Sequence, residues 1–193
     1  MKNKAETSSN TFISKALETV KLGRIFSSPK VVVLMGLPGS GKSYVANYLN
    51  KVHGFTVLSG ENITNALYAT NKANFSLVYE ILHQLAIFLL NKGHSIVIDG
   101  TNLKFSFRKQ IYDKVCKNTK PYLIYLLVDD KTAKTRIKKR GENIKDHKDI
   151  KSICSEETFR DFKKQIEEPT SKEPCYRVVS DKNLLKEIDL IIS

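Results

Sequence analysis

The run Val31-Val32-Val33-Leu34-Met35, followed at once by Gly36-Leu37-Pro38-Gly39-Ser40-Gly41-Lys42-Ser43, constrains this chain more than any other segment. The unbroken apolar run predicts a strand buried on both faces, as in a parallel sheet. The residues after it follow the pattern G-x-x-x-x-G-K-S, a phosphate-binding loop set between a strand and a helix. In such a loop successive backbone N–H groups turn inward toward phosphate oxygens. Lys42 would bring a compact positive charge to the β and γ phosphates, and the Ser43 hydroxyl would ligate Mg2+. The next residues, Tyr44 to Leu49, suit a helix, whose N-terminus would add its dipole to the anion site. Gly36, Pro38, Gly39, Ser40, Gly41, Lys42 and Ser43 are therefore expected to hold a nucleoside triphosphate.

Beyond the loop, strand-like and helix-like patterns alternate. Strands are expected at 30–35, 55–58, 95–99 and 121–128, with a fifth at 176–180. A helix should run from the loop to about residue 53, closed by Gly54, and a short one should follow Ser59. Over 75–92, Val78, Ile81, Leu82, Leu85, Phe88 and Leu89 form one helical stripe that Gly93 closes. Residues 105–117 and 131–140 are also expected to be helical. This alternation predicts an α/β fold with helices on both faces of a parallel sheet and a ligand beyond the carboxyl ends of the strands. Residues 30–193 read as one domain. Residues 1–29 read as an extension in which Phe12, Ile13, Ala16, Leu17 and Val20 recur at helical spacing until Ser27-Ser28-Pro29. A helix packed on the domain and a helix that binds a partner both fit that spacing.

Further polar residues gather where such a ligand would lie. Asp99 ends an apolar strand, in position to hold Mg2+ directly or through water, and Gly100, Thr101 and Asn102 separate it from the next helix. Glu61 follows the second strand, where its carboxylate would accept a proton from an attacking hydroxyl. A plainer reading also fits, with Ser59 capping a helix and Glu61 in its first turn, and the two are compatible. Arg136 and Arg140 are four residues apart and project from one side of a helix rich in Lys. Gly141 then opens a polar stretch expected to act as a lid over about 136–154, with either arginine closing on the γ-phosphate. Phe105 and Phe107 fit base stacking or, more plainly, core packing, and Arg108 lies near enough to reach a substrate. His53, His83, His94 and His147 are scattered, with no paired carboxylate or ligand spacing in the sequence.

Composition narrows the setting. With 41% apolar and 27% charged residues, the 193-residue chain reads as a soluble globule. Its longest apolar stretch, 81–90, is interrupted by His83 and Gln84, so no membrane span is expected. No apolar core follows the charged N-terminus, so no secretory signal is expected. Cys116, Cys154 and Cys175 match no metal or disulfide spacing, which suggests reduced thiols and a cytoplasmic protein. The net charge of +12 admits a nucleic-acid partner, but a triphosphate is also an anion and the charge does not choose between them.

Taken together, residues 30–180 resemble the polynucleotide-kinase-like, zeta-toxin-like branch of the P-loop kinases, an AAA-type ATP-binding family. The resemblance rests on the loop 36–43, the strand end Asp99-Gly100-Thr101-Asn102, the lid entry Arg136-Ile137-Lys138-Lys139-Arg140-Gly141, and a closing helix and turn over 162–173 with Glu167-Glu168-Pro169. It implies strand order 2-3-1-4-5, Mg2+-ATP as donor, and transfer of the γ-phosphoryl group to a hydroxyl. Lys42, Glu61, Asp99, Arg136 and Arg140 would be the catalytic residues, with Ser43 and Asp99 on the metal. Two positions depart from the family pattern: Glu61 stands where Asp is usual, and Thr64 where Arg often grips an acceptor phosphate. The expectation is an ATP-dependent kinase, with a polynucleotide 5′-hydroxyl as leading acceptor and a nucleoside, sugar or other metabolite close behind. A weakly catalytic ATP-binding adaptor is the alternative.

Overall fold

Every residue of strand β1 (Val31–Met35) is buried, which accounts for its uninterrupted apolar sequence. The computed structural model describes residues 13–68, 75–142 and 155–193. His147, Cys154 and the expected lid stretch beyond Glu142 lie outside the described residues. Strand β1 is the middle of a five-stranded sheet with β2 (Thr56–Ser59), β3 (Ile96–Asp99), β4 (Pro121–Leu127) and β5 (Cys175–Val179). The order is β2-β3-β1-β4-β5, as the family resemblance implied, and every pair is parallel. The carboxyl ends Met35, Ser59, Asp99, Leu127 and Val179 therefore share one edge.

Alternate residues of the strands face two separate cores. Val31, Val33 and Met35 join Ile96, Ile98 and Leu123 beneath α3 (Gly60–Tyr68) and α4 (Phe75–Asn91), together with Ile111 of α5 (Phe105–Lys114) and Phe159 of α7 (Glu156–Lys164). Val32 and Leu34 join Val57, Val97, Ile124 and Val178 beneath α2 (Lys42–Lys51) and α8 (Leu184–Ile192). Burying one such aliphatic side chain contributes roughly 1.5–3 kcal/mol, so the two-sided β1 anchors both layers. The remaining helix, α6 (Asp130–Glu142), buries only Ala133 and carries mostly solvated charge. No helix among the described residues is long and apolar enough to cross a membrane.

The structure differs from the sequence reading at several elements, among them α7, which spans Glu156–Lys164 where a closing helix and turn was expected over 162–173. Helix α8 was not expected, although Leu184, Ile188 and Ile192 repeat at the four-residue spacing of a buried helical stripe. Helix α6 continues through Gly141, where a break was expected; one glycine in a last turn costs only about 1 kcal/mol relative to alanine. At the amino end, helix α1 covers 13–17 among the described residues and stops there, with Ala16 fully buried in the core. The chain then extends, and Lys21 and Ile25 form antiparallel bridges with Val57 and His94. The helical spacing that reached Val20 thus outruns the helix itself.

Candidate active site

The loop 36–41 joins β1 to α2 at the carboxyl edge of the sheet. The Gly36 amide donates to the Thr101 carbonyl at 3.1 Å, which ties the loop to the segment leaving β3. Gly39 has φ +80°, and a Cβ there would lie 2.5 Å from the Ala133 carbonyl oxygen. Only glycine allows both that conformation and that approach to α6. Gly41 caps α2 with φ 95° and offers no side chain to the helix, and the first turn of α2 holds no acidic residue. Its amide groups and dipole thus present a positive end that no carboxylate of that turn offsets, which suits an anion. Lys42 is buried, and its ammonium donates to the carbonyls of Gly36 at 3.0 Å and Leu37 at 2.8 Å.

Helix α6 sends Arg136 to this loop and Arg140 to α3. The Arg136 guanidinium donates to Gly39 O at 3.2 Å, to Ser180 Oγ at 2.8 Å and to Ser180 O at 3.3 Å. One turn further on, Arg140 Nη2 donates to Glu61 Oε1 at 2.7 Å. Arg136 therefore rests on the loop and the end of β5, while Arg140 reaches α3. Two residues singled out separately in the sequence, Glu61 and Arg140, meet directly. Ser180 was not singled out, although a polar residue just past the end of an apolar strand was the available signal.

The acidic side of the site is built by β2 and β3, whose ends are in register at Ser59 and Asp99. Ser59 Oγ accepts the Asn62 amide at 3.3 Å and so caps α3, leaving Glu61 in the first turn and exposed. The capping reading of Ser59 is therefore what the geometry displays, and it leaves the Glu61 carboxylate at the mouth. Asp99 is largely buried, yet its carboxylate has no hydrogen bond or ion pair with any described residue. Ser43, in the first turn of α2, likewise has an exposed hydroxyl. Both are hard oxygen donors with lone pairs open, which suits Mg2+. No cluster of three or more His, Cys, Asp or Glu able to hold a metal occurs among the described residues. Mg2+ needs none, because it commonly binds through one or two carboxylates plus phosphate and water.

Other candidates have structural duties. Asn102 adopts φ 46°, and its buried amide donates to Leu34 O at 2.7 Å, fastening the β3 exit to the end of β1. Arg108 is fully buried, and all five of its N–H donors are occupied. It donates to both Glu173 oxygens and to the carbonyls of Asn102, Leu103 and Glu167. The expectation that it reaches a substrate is corrected on that ground. Phe107 stacks on Tyr79 with centroids 4.7 Å apart, and the Thr64 hydroxyl donates to Gly60 O within its own helix. His53, expected to lack a carboxylate partner, lies 2.7 Å from Asp189 at the far end of α2; α8, which supplies that aspartate, was not foreseen.

The comparisons agree with this architecture. A family model described as AAA domain (AAA_33) matches residues 31–169. No curated protein matches the sequence. Among solved structures, the chain is similar to an unliganded sugar kinase from Janibacter sp. HTCC2649 at 15% identity, with 85% of this chain and 92% of that one covered and a TM-score of 0.63. It is similar to Chaetomium thermophilum Kti12 in complex with ADP-AlF3 at 16% identity, covering 84% and 99% with a TM-score of 0.62. It is also similar to the Mycobacterium tuberculosis APS kinase CysC in complex with AMPPNP and APS at 20% identity, covering 86% and 99% with a TM-score of 0.55. These likenesses establish a P-loop kinase-like fold. With the family model running from β1 through the turn at Pro169, the chain belongs to the AAA domain family (AAA_33).

Proposed function

We propose that this protein is an ATP-dependent phosphotransferase that moves the γ-phosphoryl group to a hydroxyl. The observation that carries this reading is the placement of Lys42, the α2 N-terminus, Arg136 and the Arg140–Glu61 pair beyond the carboxyl edge of the sheet. In this reading the loop amides and Lys42 bind the phosphates, and Arg136 and Arg140 stabilise charge on the transferring group. Glu61 takes the acceptor proton. The acceptor oxygen bonds to the γ-phosphorus as the bond from that phosphorus to the β–γ bridging oxygen breaks, and ADP leaves with the electron pair. Such a reaction depends on positioning and charge neutralisation, which is what these side chains provide. Ser43 and Asp99 would hold Mg2+, which when bound neutralises phosphate charge.

For the acceptor, a small hydroxylated metabolite is favoured over the polynucleotide 5′ end. Thr64 stands where an arginine would grip an acceptor phosphate, and its hydroxyl is turned into its own helix. Arg108 has no donor left for a substrate. Two of the similar structures are named as a sugar kinase and an APS kinase, which supports a small acceptor. The net charge of +12 supports the polynucleotide as second reading. Incubation with γ-labelled ATP and panels of sugars, nucleosides and 5′-hydroxyl oligonucleotides decides between them. Label on a small acceptor supports the first reading and label on the oligonucleotide the second. ATP binding without transfer to any acceptor would leave an adaptor.

A further inference from the structure

Three cations line the phosphate end of the sheet, and each rests on an acceptor within the protein. Lys42 donates to the Gly36 and Leu37 carbonyls, and Arg136 to Gly39 and Ser180. Arg140 donates to the Glu61 carboxylate. Of these acceptors only Glu61 is charged, and only Glu61 has a second duty in the proposed chemistry. The pair joins residues 79 positions apart and bridges α6 to the first turn of α3, across the mouth of the site.

We propose that the Arg140–Glu61 pair is an exchange latch: nucleotide draws Arg140 off Glu61 and so makes the carboxylate a better proton acceptor. The proposal rests on the phosphotransferase reading above. The terminal phosphate offers the guanidinium several charged oxygens, against the single bond it makes to the carboxylate, so a bound nucleotide competes with Glu61 for Arg140. While the pair is closed, the guanidinium occupies Glu61 Oε1 and its charge makes the carboxylate a weaker base. A triphosphate carries more charge than one carboxylate and draws Arg140 away, which frees that oxygen. Both side chains are exposed, 57% for Arg140 and 42% for Glu61, so the exchange disturbs no core packing. An exposed pair of this kind shifts an equilibrium by roughly fivefold at most, which a nucleotide readily overcomes.

The latch is tested by calorimetric titration of the full chain with AMPPNP and Mg2+, comparing wild type, Glu61→Gln, Arg140→Ala and the double variant. Opening the latch in advance should make Glu61→Gln bind AMPPNP roughly two- to fivefold more tightly than wild type. In the Arg140→Ala background the same change should have no effect, and Glu61→Ala should repeat both results. Equal tightening in both backgrounds would mean simple repulsion between Glu61 and the phosphates, and would overturn the latch. Unchanged or weaker binding by Glu61→Gln would also overturn it. Failure of wild type to bind AMPPNP at all would remove the phosphotransferase reading together with the latch.

Discussion

Arg108 and Glu173 form a forked ion pair inside the protein, with Nε 2.7 Å from Oε2 and Nη2 3.0 Å from Oε1. Glu173 also accepts from the Tyr112 hydroxyl and the Thr170 amide, both at 3.0 Å. Through Arg108 the turn at 167–173 is fixed to the carbonyls of Asn102 and Leu103. Through the Asn102 side chain that fixation reaches the end of β1, immediately before the phosphate loop. A residue remote from the loop in sequence therefore helps set where the loop begins.

Breaking that pair from one side should cost about 3–5 kcal/mol, because the surviving charge stays buried without its partner. Glu173→Ala is expected to lower the urea midpoint accordingly. The pair also sets an acid limit. Burial acts to raise the Glu173 carboxyl, but bonds from Arg108, Thr170 and Tyr112 together hold it below its ordinary value of 4.5. A carboxyl depressed in the folded state stabilises above that ordinary value and loses the contribution as pH falls through the folded value. Urea unfolding of wild type below pH 4.5 should show this loss, and Glu173→Ala should lack its share of it.

His83 should destabilise the fold in mild acid. It is buried at 3% exposure, and neither ring nitrogen has a hydrogen-bond partner among the described residues. Burial, with Lys114 adding, pushes its ring down from 6.5 to about 4. An unfolded chain takes up that proton near 6.5, whereas the folded chain refuses it until about 4. Stability therefore falls as pH drops through that window, by up to about 3 kcal/mol. His83→Leu should flatten the slope and raise the melting temperature at pH 5.

Lys42→Ala should abolish the rise in melting temperature that ATP produces, while leaving the ligand-free melt close to wild type. Its acceptors include the loop carbonyls of Gly36 and Leu37, and the expected loss is in phosphate binding. Retention of full ATP-dependent stabilisation would contradict the proposed site.

Arg140→Ala should lower kcat by about a hundredfold or more with a much smaller change in KM for ATP, as for loss of a group that acts on developing charge. Steady-state kinetics on whichever acceptor takes label would measure it. Equal losses in both parameters would mean that Arg140 only binds.

Gly39→Ala should deform the loop, since the added carbon would meet the Ala133 carbonyl at 2.5 Å in a backbone conformation alanine disfavours. Nucleotide affinity should collapse while far-ultraviolet circular dichroism stays native.

Strands β1, β3 and β4 were legible in the sequence because both faces are largely buried, so each reads as a nearly continuous apolar run, whereas Tyr176, Arg177 and Val179 of β5 are exposed. The boundaries moved by a residue or two, as at β2, which is Thr56–Ser59 where 55–58 was expected. The strand order came from the family resemblance, because a run such as Ile96–Asp99 does not say which neighbour it pairs with. The loop was legible because its chemistry depends on residue type at fixed spacing. The Arg140–Glu61 contact was not, since partners 79 positions apart are brought together only by the whole fold. The structural duty of Arg108 was hidden for a related reason. An arginine early in a helix looks available until its acceptors, among them a glutamate 65 positions away, are in view.

The stretch that leaves α1 lies along the open side of β2, where the Lys21 carbonyl accepts the Val57 amide at 2.9 Å and Arg24 bonds back to Gly54. An outermost strand with unpaired amides is a template for a neighbouring molecule's backbone. By filling that role from within, the segment ahead of the nucleotide loop acts as a selvedge that guards the sheet against growth from one chain to the next.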